Sequence, residues 1–141
     1  MNQDLQYAKQ QLATGAFTCV LCKDSHTITA TARGVRPLVD LLQEGTLPGY
    51  SAADKVVGKA TAFLYVLLGV TAIYTPVISA PALAVLQRFG IDTSCDMVVD
   101  AIYNRDRTGF CPMETAVRDI EDPAAAHKRV LEVLARGIHK Q

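Results

Sequence analysis

The chain has no surplus of charge of either sign: lysine and arginine together number 14, and so do aspartate and glutamate. Tracking a phosphate backbone requires a clustered basic surface, so nucleic acid is disfavoured as a partner. Cysteine is scarce and unpatterned. Cys19, Cys22, Cys95 and Cys111 show no disulfide-framework spacing and follow no signal peptide, which predicts free thiols and a cytoplasmic setting. The Gly-x-Gly-x-x-Gly and Walker patterns that cradle phosphates are missing, as are internal repeats and low-complexity tracts. His26, His127 and His139 are scattered, so no Cys/His dyad is indicated.

What is present is enough apolar sequence for one core. At 141 residues a chain buries a core without help from disulfides or metal, and one domain is expected: residues 16–141, with residues 1–15 as an N-terminal helix of the same domain. Ala60 to Gln87 contains no charged side chain, longer than the roughly 20 residues that span a bilayer. Gly69, Thr71, Thr75, Pro76, Ser79 and Pro81 interrupt it where elements of a compact α/β domain would end. Burial, not a membrane, is therefore the expected reason for the run.

Periodicity and punctuation divide the chain. Leu5, Ala8 and Leu12 at helical spacing before Gly15 predict a helix over 4–14. FTCVLC and HTITATA around Lys23-Asp24-Ser25 predict a hairpin. Pro37 at a first helical position and Gly45 at the end bracket a second helix. SAADKVV, VTAIYTPVIS and IDTSCDMVV read as strands, separated by the helices KATAFLYVLL and PALAVLQRF. Crossovers of this length make neighbouring strands parallel, giving a hairpin followed by a parallel βαβαβ unit. The course of residues 97–103 is not legible. Pro112 and Glu114 start a helix ending near Asp122, and Asp122-Pro123 starts a last one, with Leu131 and Leu134 inward and Gly137 as its stop.

This element order is that of the cytidine deaminase-like fold, a three-layer α/β/α sandwich. Locally, RGVRPLVDLL, DKVVGKATAFL and NRDRTGFCPME resemble the bacterial family known as domain of unknown function 1893, over nearly the whole chain after residue 15. The resemblance implies the fold without naming a reaction. Zinc deaminases place His-Ala-Glu or Cys-Ala-Glu at one helix start and Pro-Cys-x-x-Cys at the next. Here those positions read Lys59-Ala60-Thr61 and Pro81-Ala82-Leu83-Ala84-Val85. Lysine, alanine and valine cannot form zinc's nitrogen and sulfur set, so neither zinc nor another cofactor is expected there.

Three residues form the candidate catalytic set. Pro112 at a first helical position makes Cys111 the N-cap, where unpaired N–H groups and the helix dipole stabilise a thiolate; the same residues also read as a plain capping box, with Glu114 reaching back to the backbone. Lys59 opens the helix that carries the catalytic glutamate in zinc deaminases, and a cation there suits a phosphate or carboxylate. Candidate substrate-binding residues are Asp54, expected to orient Lys59 or Arg36 or to form a buried salt bridge, and Gly58, which permits close approach to a ligand. Arg36, with Arg33, Asn104 and Arg105, forms a candidate anion group, and Gly109 lies in the same loop. Cys19 and Cys22, three apart on a strand, point to opposite faces and make no metal pair.

Two functions fit these residues. One is a site for a nucleotide-like or other anionic metabolite at the strand carboxyl ends, with Cys111 as nucleophile or redox thiol. The other is a non-catalytic binding or assembly module, with homo-oligomers forming through the apolar helix Ala60 to Leu68.

Overall fold

The computed structural model describes residues 2–103 and 111–137. Helix α1 (Gln3–Ala13) starts where the Asn2 side chain accepts the Leu5 N–H at 2.6 Å, an N-cap that satisfies one of the helix's orphan donors. Strands β1 (Cys19–Lys23) and β2 (His26–Ala30) form the expected hairpin, with Lys23 opposite His26. Its two-residue turn requires positive φ, and Asp24 adopts it at 54°. Helix α2 (Arg36–Glu44) begins one residue before Pro37 and closes at Gly45.

The next predicted strand is interrupted. β3 (Ser51–Asp54) and β4 (Val56–Val57) are separated by a bend at Lys55. Both pair in parallel with β5 (Ala72–Ser79) in one continuous register, Ser51 opposite Ala72 and Val56 opposite Val77. The break lies across from Thr75-Pro76, and proline has no N–H to give to a ladder. Its consequence is directional. Strict alternation would send Asp54 and Val57 to opposite faces, yet Val57 is buried in the core beside α3 and Asp54 bonds Tyr65 of the same helix.

Helix α3 (Lys59–Leu68), helix α4 (Ala80–Arg88) and strand β6 (Asp92–Val99) complete the parallel unit, and β6 pairs with β5 along its full length. Residues 97–99 thus continue the strand. The mixed sheet runs β2, β1, β3 with β4, β5, β6, with helices on both faces. On one face α1 lays Leu5, Ala8 and Leu12 over Val20, Cys22, Ala53 and Tyr74. The other face, with Leu21, Ala52 and Ile73, packs under α3 and its neighbours. Cys19 and Cys22 do fall on opposite faces, in separate clusters.

Two further helices cover α3. Helix α5 (Pro112–Val117) is shorter than predicted, because residues 118–121 leave the helix and bind α3 instead. Helix α6 (Pro123–Ala135) is capped by Asp122, whose side chain accepts the Ala125 N–H at 2.8 Å. Its inward stripe is Ala126, Val130, Val133 and Leu134; Leu131, predicted inward, is 38% exposed because it lies off that stripe. Helix α3 itself is largely enclosed, with Ala60, Ala62, Phe63, Leu64, Tyr65 and Leu68 buried. That corrects the expectation of an assembly surface on Ala60 to Leu68: α2, α4, α5 and α6 already occupy its sides. Among the described residues, no helix is long and apolar enough to cross a membrane.

Candidate functional site

A cavity of about 480 Å³ opens at the carboxyl end of β3 and β4. Its walls come from the start of β1, the turn before α2, the β4–α3 junction and the start of α5. Of the predicted site residues it gathers Arg33, Arg36, Asp54, Gly58, Cys111 and Glu114, and it adds Cys19. Asn104, Arg105 and Gly109 lie outside the described residues.

Asp54 supplies the most unusual electrostatics. Its Oδ2 accepts a 2.6 Å hydrogen bond from the Tyr65 hydroxyl, and among the described residues no cation lies within ion-pairing distance of it. Neither Lys59 nor Arg36 forms the salt bridge expected for it. Burial without a counter-charge disfavours the ionised form, and raises the Asp54 carboxyl from 3.8 to about 6, against the lowering effect of Tyr65 and nearby backbone N–H groups. Burial, then the adjacent Asp54 charge, pushes the Cys19 thiol up to about 12. Cys19 is therefore a neutral wall residue, not a nucleophile.

Glu114 does not reach back along its own helix. Its carboxylate spans the N-terminus of α3, with Oε1 accepting the Lys59 N–H at 2.8 Å and Oε2 the Ala60 N–H at 3.1 Å. Gly58, the N-cap of α3, has no side chain to do this, so a residue 55 positions away supplies the cap and the negative charge that the dipole favours. The glycine leaves room for that carboxylate. A Cβ at position 58 would lie 2.5 Å from Glu114 Oε2, so the space expected for a ligand's approach is filled by this carboxylate. Desolvation raises the Glu114 pKa in spite of the two N–H bonds and the nearby Lys59 charge.

Lys59 turns away from this cavity. Its ammonium donates to the Arg118 carbonyl at 2.9 Å and to Glu121 Oε2 at 2.6 Å, and the residue is 7% exposed. It lines a smaller hollow of about 240 Å³ with Pro81, Val85 and Glu121. Lys59 and Cys111 are thus not brought to one cavity, contrary to expectation: the helix directs the Lys59 side chain toward α4, while Glu114 covers its backbone. Ala82 and Val85, which the sequence comparison set against deaminase ligands, are buried in the core. Among the described residues no group of three metal-ligating side chains converges.

Cys111 is the N-cap of α5, half-buried at the cavity wall, and its side chain makes no cap hydrogen bond. Its N–H is fixed to the Ile102 carbonyl at 2.9 Å. A helix of six residues carries only a small dipole, which weakens the activation expected from its sequence position.

The family described as TM1506, Domain of unknown function (DUF1893), matches residues 7–134. The chain belongs to this family. The structure is also similar to the crystal structure of a DUF1893 family protein (TM1506) from Thermotoga maritima, with a TM-score of 0.84 and 25% sequence identity over 94% of this chain and 91% of that one. No curated protein matches the chain. Within this DUF1893 chain, sequence reasoning missed Tyr65 and Cys19 as site residues. A tyrosine in an otherwise apolar helix was the available signal, since a buried hydroxyl needs a polar partner.

Proposed function

We propose that this DUF1893 chain binds a small anionic metabolite, of nucleotide-like size, in the large cavity of a cytidine deaminase-like scaffold, with Cys111 at its wall as nucleophile or redox thiol. The observation that carries this reading is the cavity itself. At about 480 Å³ it has the size of a small-molecule site, and Arg33 and Arg36 stand in the same enclosure as Cys111. The element order supports the scaffold assignment: a hairpin, then a parallel βαβαβ unit with helices on both faces. Ligand binding in open α/β sheets takes place beyond the carboxyl ends of the strands, where this cavity lies. Lys59 has no part in anion binding on this reading, because its ammonium is held by Glu121 and Arg118.

Alkylation of Cys111 tests both halves. Iodoacetamide should label Cys111 faster than a free cysteine between about pH 6 and 9, and a bound metabolite from an anion panel should slow the labelling. Ordinary reactivity would remove the activated thiol; full labelling in the presence of every panel member would remove the site.

The assembly reading has a different observation behind it. Met97 and Val98 are exposed on β6, an edge strand, and open edges template pairing between copies. Light scattering that shows a monomer at high concentration would end that reading.

A further inference from the structure

The cavity wall holds a polar group whose bonding capacity is incompletely used. An ionised carboxylate offers about four acceptor sites. Asp54 fills one strongly, with Tyr65 at 2.6 Å, and another only through a long 3.4 Å contact from the Val56 N–H. The adjacent Lys55 N–H, bonded to the Thr18 carbonyl at 3.1 Å, adds weaker support to the charged form. No described cation neutralises the charge, and strand alternation sets this carboxylate on the α3 face with Ala52 and its cross-strand partner Cys19. A half-buried carboxylate with open acceptor sites at a cavity wall is complementary to a ligand that brings donors and positive charge.

We infer that the cavity recognises a planar cationic donor of the amidine or guanidine class, gripped by the Asp54 carboxylate at its wall. The inference rests on the reading of the cavity as a small-molecule site. Three features select this class. A planar fork meets a carboxylate with two parallel N–H bonds, whereas a compact ammonium is strongly hydrated and loses more on entering an apolar enclosure. The walls of the same cavity include Val35, Leu38, Met113 and Leu134, which suit the faces of a flat group. A metal ion would require further ligands, and the neighbouring Cys19 is held as a neutral thiol. With Arg33 in the same enclosure, the natural ligand is a small molecule carrying both an amidine-type edge and an anionic group.

Calorimetry with benzamidinium, benzamide and benzoate decides it. Benzamidinium should bind the wild-type protein at least tenfold more tightly than its neutral isostere benzamide, and Asp54→Asn should erase that preference while leaving benzoate binding intact. The comparison of the two isosteres needs no variant, so it stands even if Asp54→Asn fails to fold. Equal binding of benzamidinium and benzamide, or a preference that survives Asp54→Asn, overturns the inference. If benzoate binds and benzamidinium does not, the cavity remains a small-molecule site and the Asp54 assignment falls. If no probe binds and none slows Cys111 alkylation, both readings fall together.

Discussion

Replacing Asp54 by asparagine tests the electrostatics of the site directly, because the wild-type carboxylate is a destabilising group at neutral pH. Burial raises its pKa from 3.8 to about 6, and each unit corresponds to about 1.4 kcal/mol of differential stabilisation of the two protonation states. Between these values the folded protein binds more protons than the unfolded chain, so stability falls as pH rises. The protonated acid costs nothing extra below about pH 4, whereas above about pH 6 the full penalty of roughly 3 kcal/mol is present. Asparagine keeps an oxygen to accept from Tyr65 and carries no charge, but it leaves an amide facing the cavity, which offsets about 1 kcal/mol. Asp54→Asn should therefore be more stable than wild type by about 1–2 kcal/mol at pH 8, and equal or slightly less stable at pH 4.5. Urea unfolding at several pH values reads this, with an unchanged denaturant slope confirming that the unfolded state is unaltered. The difference between the two proteins is the quantity to use. Glu114, also shifted upward by burial, tilts both curves the same way, and Glu121, shifted downward by the Lys59 hydrogen bond and charge, tilts them oppositely. A variant less stable than wild type at pH 8 would mean that the carboxylate has a stabilising cation, and the reasoning would fail.

The Glu114 cap predicts a coupling. Gly58→Ala should destabilise by about 1–3 kcal/mol, since the new methyl displaces the carboxylate that satisfies two N–H groups, while in a Glu114→Ala background the same change should cost much less; additive effects in a double-mutant cycle by urea unfolding would remove the steric explanation. Lys59→Met, which retains most of the buried stem, should lose about 1–2 kcal/mol through its two hydrogen bonds, yet leave Cys111 alkylation rates unchanged; a change in those rates would place Lys59 at the thiol after all. Phe63→Ala, at the centre of the enclosed face of α3, should cost about 3–5 kcal/mol, and a loss under 1 kcal/mol in chemical denaturation would show that α3 is not the core helix.

Much of the fold is legible locally because its signals are local. Helix α3 runs over Lys59–Leu68 as KATAFLYVLL between two glycines predicts, and the hairpin turn and the Asp122 cap follow from residues within four positions of each other. The family, too, is readable from short motifs. What one-dimensional pattern cannot carry is the partner of a side chain distant in sequence. Glu114 reads as a cap for its own helix, and it becomes the cap of α3 because packing brings α5 to a helix end that Gly58 leaves bare. Lys59 reads as a ligand for an anion, and it becomes a tether because residues 118–121 supply a carbonyl and a carboxylate on its side of the helix. Asp54 depends on both levels. Its charge in an apolar strand marks it in sequence as a residue needing a partner, but only the packing of α3 on that face of the sheet places Tyr65 opposite it at the cavity. Composition and periodicity set which residues are buried; the register of strands and the meeting of helix ends decide what each buried polar group faces, because hydrogen bonding depends on ångström-scale geometry between segments the chain itself keeps far apart.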